Sequence, residues 1–320
     1  MLYLLAIIIS FVTTLIVTIY SIKILRAKGS MVPDQFKKGK PMIPRPGGYA
    51  IIAGISLGLI ILYFLTYNLV IISILLSSLI AFIVGYIDDK NVMKGYYKPL
   101  ALITAALPII LLNTYDYNLD FPLAGSVRIP ILYLPLIVII LVIFGNTINS
   151  IDVFNGVASA FMIISSIPLI IALYLNNDYD NLYAAFILLA SSLAFFIFHR
   201  YPSKIFPGDS GTLTFGVYYG ALAIVSGLEI IAVISLLPAI INSFFFLSSV
   251  KRIVEHREIK SRPTVLLDDY RIAASKDVNA PITLVRLLVI KKPLYEYQIV
   301  KRIILLAIFS SMLAILTILI

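Results

Sequence analysis

Cysteine is absent from the 320 residues, which excludes disulfides and thiolate metal centres. Histidine is nearly absent: His199 and His256 are too few for a His-rich zinc site. A metal used by this chain is therefore expected to be a hard cation held by oxygens, Mg²⁺ first and Mn²⁺ as a substitute. Charged residues are scarce, at 13%. No internal repeat is visible, and no low-complexity tract beyond richness in isoleucine and leucine. The first residues, MLYLLAIII, carry neither a basic segment nor a small-residue cleavage site, so they read as a retained helix.

What is present is mostly apolar. The chain is 61% hydrophobic with a mean hydropathy of +1.03, far above a soluble domain. It is read as an all-α polytopic membrane protein, one integral membrane domain over residues 1–320. Runs of about 17–25 apolar residues cross a bilayer as helices. Ten are expected, at roughly 2–22, 48–67, 69–87, 99–114, 130–149, 156–175, 182–198, 212–227, 229–249 and 302–320.

The basic residues orient the set. All of the 25 Lys and Arg residues except Arg128 fall in the odd-numbered connections or at their edges. By the positive-inside rule those connections are cytoplasmic and both termini face outward. Among the outward connections only residues 115–128 are long, and their two alternating stretches around AGS suggest a small β-hairpin. The inward connection 251–301 is the one sizeable polar piece. Within it Pro281 to Pro293 is apolar, basic and too short to span, which suggests an interfacial helix. The net charge of +9 suits contact with anionic lipid heads or phosphorylated substrates, and equally suits a topology signal.

Four polar clusters share the inward face. The first, GYIDDKNVMKGYYKP (Gly85 to Pro99), closes the third span with Asp88 and Asp89 and adds Lys98. Carboxylates at a membrane boundary are costly and usually functional; the alternative is a solvated acidic loop. The second, FGNTINSIDVFNG (Phe144 to Gly156), places Asn146, Asn149 and Asp152 three apart on one helix face, with Asn155 following. Helix-to-helix hydrogen bonding explains one such Asn more easily than the whole row. The third is FPGDSGTLTFG (Phe206 to Gly216). Its glycines allow close backbone approach, and Asp209 stands at a helix start that favours an anion; alone, Asp209 would read as an N-cap. The fourth is EHREIKSRP (Glu255 to Pro263), in which His256, Arg257 and Arg262 are placed to clamp a pyrophosphate or to meet anionic lipid. Ahead of the second span, PMIPRPGGYAI makes a fixed turn whose Arg45 would meet a lipid phosphate or the membrane surface. His199 is read as an interfacial residue, not a ligand.

In this order and on one face, these motifs resemble the polyprenyl-phosphate N-acetylhexosamine-1-phosphate transferase superfamily. Its members are ten-helix, glycosyltransferase family 4-like membrane enzymes. The resemblance spans nearly the whole chain: PRPGG, the Asp pair, NxxNxxD, FxGDSG and a His/Arg loop. It implies a phosphoglycosyl transferase that moves a sugar-1-phosphate from a UDP-sugar to a polyprenyl or dolichyl phosphate, releasing UMP, with Mg²⁺. Such a reaction opens lipid-linked glycan assembly.

Asn155, where bacterial members carry Asp, is similar to the UDP-GlcNAc–dolichyl-phosphate branch. The single His256 departs from the His-rich loop of the muramyl-pentapeptide enzymes. FPGDSG looks bacterial, and an archaeal source fits the mixture. By motif position, Asn149 and Asp209 would hold Mg²⁺ with the pyrophosphate. Asp88 and Asp89 would lie by the lipid phosphate and Lys98 would neutralise charge. Asn155 would read the uracil, and Asn146, His256 and Arg257 would contact pyrophosphate or sugar. Another UDP-HexNAc donor and a homodimer stay open, and no nucleic-acid partner is expected. A secondary transporter is the alternative of another class, but it predicts polar groups at helix centres and a repeat. A CDP-alcohol phosphatidyltransferase lacks its DG-x-x-AR signature here, and a scaffold would not need four converging polar loops.

Overall fold

The computed structural model describes residues 2–121, 125–251, 259 and 261–319. His256 and Arg257 lie outside the described residues. Where no water is available to the backbone, long apolar runs satisfy their polar groups internally as helices. The chain follows that rule through α1 (Leu2–Ala27), α2 (Gly48–Thr66), α3 (Leu69–Lys90), α4 (Tyr97–Leu102), α5 (Leu107–Leu111), α6 (Pro130–Ile151) and α7 (Val157–Leu175). It continues through α8 (Tyr179–His199), α9 (Gly208–Val225), α10 (Glu229–Ser235), α11 (Leu237–Val250), α12 (Leu284–Leu288) and α13 (Glu296–Leu319). Seven of these, α1 to α3, α6 to α8 and α13, are long and apolar enough to cross a membrane.

Of the other three expected spans, 212–227 falls largely in the unbroken helix α9 and two are interrupted. A 3₁₀ turn at Ile103–Ala106 separates α4 from α5, because Pro108 brings no N–H to continue an α-helical ladder. Helices α10 and α11 meet at Leu236 with a bend of 72°. Pro238 offers no donor to the Ile234 carbonyl, which instead accepts from the Ser310 hydroxyl of α13 at 2.5 Å. The Ile164 carbonyl, freed likewise by Pro168 within α7, accepts from Ser311 at 3.4 Å. Two adjacent serines on the last helix thus supply the donors that two prolines remove.

Packing inverts the soluble pattern. On α1, Leu5, Ile8, Val12, Ile16 and Ile19 are exposed, while Ala6, Ser10, Thr14, Thr18 and Ser21 are buried against α2 and α8. Small residues admit close helix approach where lipid supplies no hydrophobic drive. Thr14 also bonds Ser191 of α8 at 3.0 Å. At the centre is α9, buried at every residue from Gly208 to Ile224 and packed on α3 and α6. A Cβ on Gly216 would stand 2.3 Å from the Phe144 carbonyl oxygen of α6, so only glycine permits this crossing.

Three antiparallel hairpins are found among the described residues: β1 (Met31–Pro33) with β2 (Met42–Pro44), β3 (Asn118–Phe121) with β4 (Gly125–Arg128), and β5 (Thr264–Leu266) with β6 (Ile272–Ala274). The second is the expected hairpin, in register Asn118 to Arg128. The other two carry no strong alternation and were not anticipated. Within Pro281 to Pro293, where an interfacial helix is expected, the helical residues are those of α12, one short turn capped by Thr283. There the Asn242 side chain of α11 accepts the Leu284 N–H at 2.9 Å, and Val285 and Val289 are buried.

Replacing Gly216 by Ala should force α6 and α9 apart and destabilise the fold by about 1–3 kcal/mol. The check is a lowered melting temperature by circular dichroism in detergent.

Candidate active site

The site forms where the loop before α2, the end of α3, the start of α4 and the start of α9 converge. Gly208 has φ +71°, a left-handed value that favours glycine, and a Cβ there would lie 2.7 Å from the Asp89 carboxylate and from Pro46. The turn before α2 is laced to the turn before α9 by backbone bonds, Gly47 N–H to the Phe206 carbonyl (2.8 Å) and Phe206 N–H to the Pro44 carbonyl (3.0 Å).

Three carboxylates and two cations meet there. Asp89, 1% exposed, accepts from the N–H groups of Asp209 and Ser210 (both 2.9 Å), from the Ser210 hydroxyl (2.7 Å) and from Arg45 Nη2 (3.0 Å). Asp88, 2% exposed, pairs with Lys98 at 2.5 Å and accepts the Met93 N–H at 2.6 Å. Asp209 is 12% exposed and more loosely held, with Arg45 at 3.2 Å and Lys98 at 3.5 Å. Burial alone would lower the Arg45 pKa, but Asp209 and Asp89 raise it above its ordinary value. The expectation that the start of α9 offers free N–H groups to an anion is corrected at its second and third amides, those of Asp209 and Ser210: Asp89 already occupies them.

Beside this knot opens a cleft of about 320 Å³. Arg45 and Gly208 belong to both. Its walls include Asp34 and Phe36 from the loop after β1, Asn149 and Asp152 to Asn155 from the end of α6, and His199 and Phe206. Asn149 Oδ1 accepts from the Thr212 hydroxyl of α9 at 2.9 Å. Burial pushes the Asp152 carboxyl up to about 7, against the lowering effects of the Ala158 N–H and Arg45.

His199 corrects its reading as an interfacial residue. It is fully buried on the cleft wall because Ser159 takes its Nδ1 at 2.9 Å and Phe195 and Phe206 pack on its ring. Its Nε2 stands 3.6 Å from Asp152 with no hydrogen-bond partner.

The structure therefore brings together Arg45, Asp88, Asp89, Lys98, Asn149 and Asp209, and sets Asn155 in the adjoining wall. Asn155 is buried, and its amide is engaged by Asp34 (3.0 Å), Glu296 (2.9 Å) and the Ser203 N–H (2.7 Å). Asn146 donates to the Val142 carbonyl of its own helix at 2.8 Å, and Arg262 is exposed outside the cleft lining. Sequence reasoning missed Asp34, Lys37 and Glu296. The only signals were an acid and a base three apart in a loop and a lone acid opening the last span.

No group of three or more acidic or histidine side chains able to hold a metal is found among the described residues. The oxygen donors around Asn149 are its own amide and the carboxylates of Asp209 and of Asp152, which lines the cleft; the two are 12% and 13% exposed. Mg²⁺ is usually held by one or two carboxylates with substrate phosphates completing the shell, so this set fits it. Three carboxylates against two cations also leave the knot short of positive charge.

The profile of glycosyl transferase family 4 matches residues 71–227, from α3 to the end of α9. A protein of Sulfolobus acidocaldarius, provisionally named a UDP-N-acetylglucosamine–dolichyl-phosphate N-acetylglucosaminephosphotransferase, is 33% identical over 69% of this chain and 70% of its own length. A protein of the same provisional name from Saccharolobus solfataricus is 30% identical over 75% and 76%. The phospho-N-acetylmuramoyl-pentapeptide-transferase of Lactobacillus helveticus is 33% identical over 48% and 50%.

Replacing Asp89 by Ala should strip the first turn of α9 of its acceptor and lower stability by about 1–3 kcal/mol. Asp209→Asn, at a looser and more exposed position, should leave the melting temperature nearly unchanged. Thermal unfolding of both variants by circular dichroism checks the contrast.

Proposed function

The chain belongs to glycosyl transferase family 4, and from that premise we propose that it transfers N-acetylglucosamine-1-phosphate from UDP-GlcNAc to a polyprenyl or dolichyl phosphate, giving the lipid diphosphate sugar and UMP. The observation that carries this reading is the difference among the three aspartates. Asp88 and Asp89 are each held by short contacts to the protein, and Asp209 is the one held at longer range, between two cations and accepting from the Asn149 amide. That arrangement suits a diphosphate. The names of the archaeal relatives support the GlcNAc donor and the dolichyl acceptor.

The chemistry is phosphoryl transfer, in which positioning and charge neutralisation do most of the catalysis. An oxygen of the acceptor phosphate attacks the sugar-bearing phosphorus of the donor. The bond from that phosphorus to the bridging oxygen breaks, and the electron pair leaves with UMP. The acceptor phosphate is already anionic near pH 7, so no general base is required. Lys98 and Arg45 neutralise phosphate charge, Asp88 orients Lys98, and Asp89 orients Arg45 and the start of α9. Asp209 and Asn149 would hold Mg²⁺. Bound with the diphosphate, that ion supplies neutralisation of charge on the departing phosphate. We place the site on the cytoplasmic side of a ten-span arrangement with both termini outward, a placement supported by the distribution of Lys and Arg.

The test uses purified protein, polyprenyl phosphate and radiolabelled UDP-GlcNAc, with and without Mg²⁺. Mg²⁺-dependent label in the lipid phase with UMP release is expected. Release of UDP would overturn the reaction type, and product with a different UDP-HexNAc only would overturn the donor. Asp209→Asn should reduce turnover by about 100-fold or more, the scale for losing a group that stabilises transition-state charge.

A further inference from the structure

Four segments distant in the chain are tied together behind the cleft. Asp34 and Lys37 lie in the loop joining β1 to β2, Asn155 in the turn before α7, Ser203 in the turn before α9, and Glu296 at the first residue of α13. Asp34 and Glu296 are buried, and both are carboxylates. Lys37 is the cation between them, paired with Asp34 and with Glu296 at 3.1 Å, while its ammonium also stands 4.7 Å over the Tyr201 ring. Without it two buried acids would face each other, an arrangement that folded proteins do not tolerate unneutralised.

The Asn155 amide completes the tie. Its Nδ2 donates to Asp34 at 3.0 Å and to Glu296 at 2.9 Å, and its Oδ1 accepts the Ser203 N–H at 2.7 Å. Its own backbone N–H donates to Glu296 at 3.2 Å. Both amide protons and the backbone donor are thus engaged by protein. What this arrangement holds in place is the cleft wall itself. Phe36 of the β1–β2 loop packs on Phe154 of the Asn155 turn, ring centroids 4.9 Å apart, and both rings line the cleft.

We propose that Asp34, Lys37 and Glu296 are positioning residues that latch the β1–β2 loop and the Asn155 turn to the last helix, and so set the affinity of the cleft for the nucleotide end of the donor. The inference rests on the UDP-sugar reading above. None of the three is paired with Arg45, Asp209 or Lys98, the groups at the phosphates. Loosening the latch therefore weakens donor binding and leaves the transfer step alone.

The experiment compares wild type, Glu296→Gln, Lys37→Met and the double variant. It measures KM and kcat with UDP-GlcNAc, Kd for UMP, and melting temperature without nucleotide. A KM and a UMP Kd raised about tenfold in each single variant are expected, the scale of losing one charged hydrogen bond. The change in kcat should stay within about twofold, and the double variant should be no worse than the worse single one, because the residues act as a unit. Unchanged KM and Kd would overturn the latch, and so would a fall in kcat and melting temperature at unchanged KM, the signature of plain packing. If the double variant is not recovered folded, Glu296→Asp decides: it keeps the charge, shortens the reach, and raises KM only if the latch is real. Failure of wild type to turn over any UDP-sugar would instead remove the reaction on which the inference rests.

Discussion

The carboxylate of Asp89 holds the candidate site in its shape. Helix α9 is buried from its first residue, so its leading N–H groups cannot turn to water, and buried donors left unpaired are costly. Asp89, on the last turn of α3, accepts two of them together with the Ser210 hydroxyl. The same oxygens hold Arg45. One side chain thereby joins the end of one helix, the start of another and the loop before a third. Gly208 is what allows the carboxylate so close.

That constraint divides the work among groups that look alike in the sequence. Asp88 and Asp89 are neighbours, yet one faces Lys98 and a loop amide while the other caps α9. Asp209, buried as well, is left with longer contacts shared between Arg45 and Lys98. A carboxylate already surrounded by donors has little to gain from a new ligand, and a loosely held one has much. The cleft and the charged knot share Arg45, so the nucleotide and phosphate ends of a donor would be read by different residues joined through one guanidinium.

The helices around this centre show how a membrane chain spends its few polar side chains. Small residues on α1 face inward so that helices can approach. Ser310 and Ser311 satisfy carbonyls that Pro238 and Pro168 leave without a partner. A bend of 72° between α10 and α11 is stable because its broken ladder is completed from α13.

The sequence by itself determined the class of fold, because unbroken apolar runs leave a helix as the one local solution in lipid. It gave the order of the polar clusters, and the concentration of basic residues in alternate connections was the reason for expecting them on one face. Arg45, Asp88, Asp89, Lys98, Asn149 and Asp209 were legible as one constellation for that reason. Only the tertiary structure decided which aspartate is paired at longer range, that His199 is buried on the cleft wall, and that Glu296 meets Asn155 across 141 positions. Each depends on which partners surround a side chain in space, and residue spacing along a helix carries no information about contacts made from another element. The β1–β2 and β5–β6 hairpins and the short extent of α12 were hidden for a related reason: docking contacts such as that of Asn242 with Leu284 are not written in any periodicity of the segments themselves.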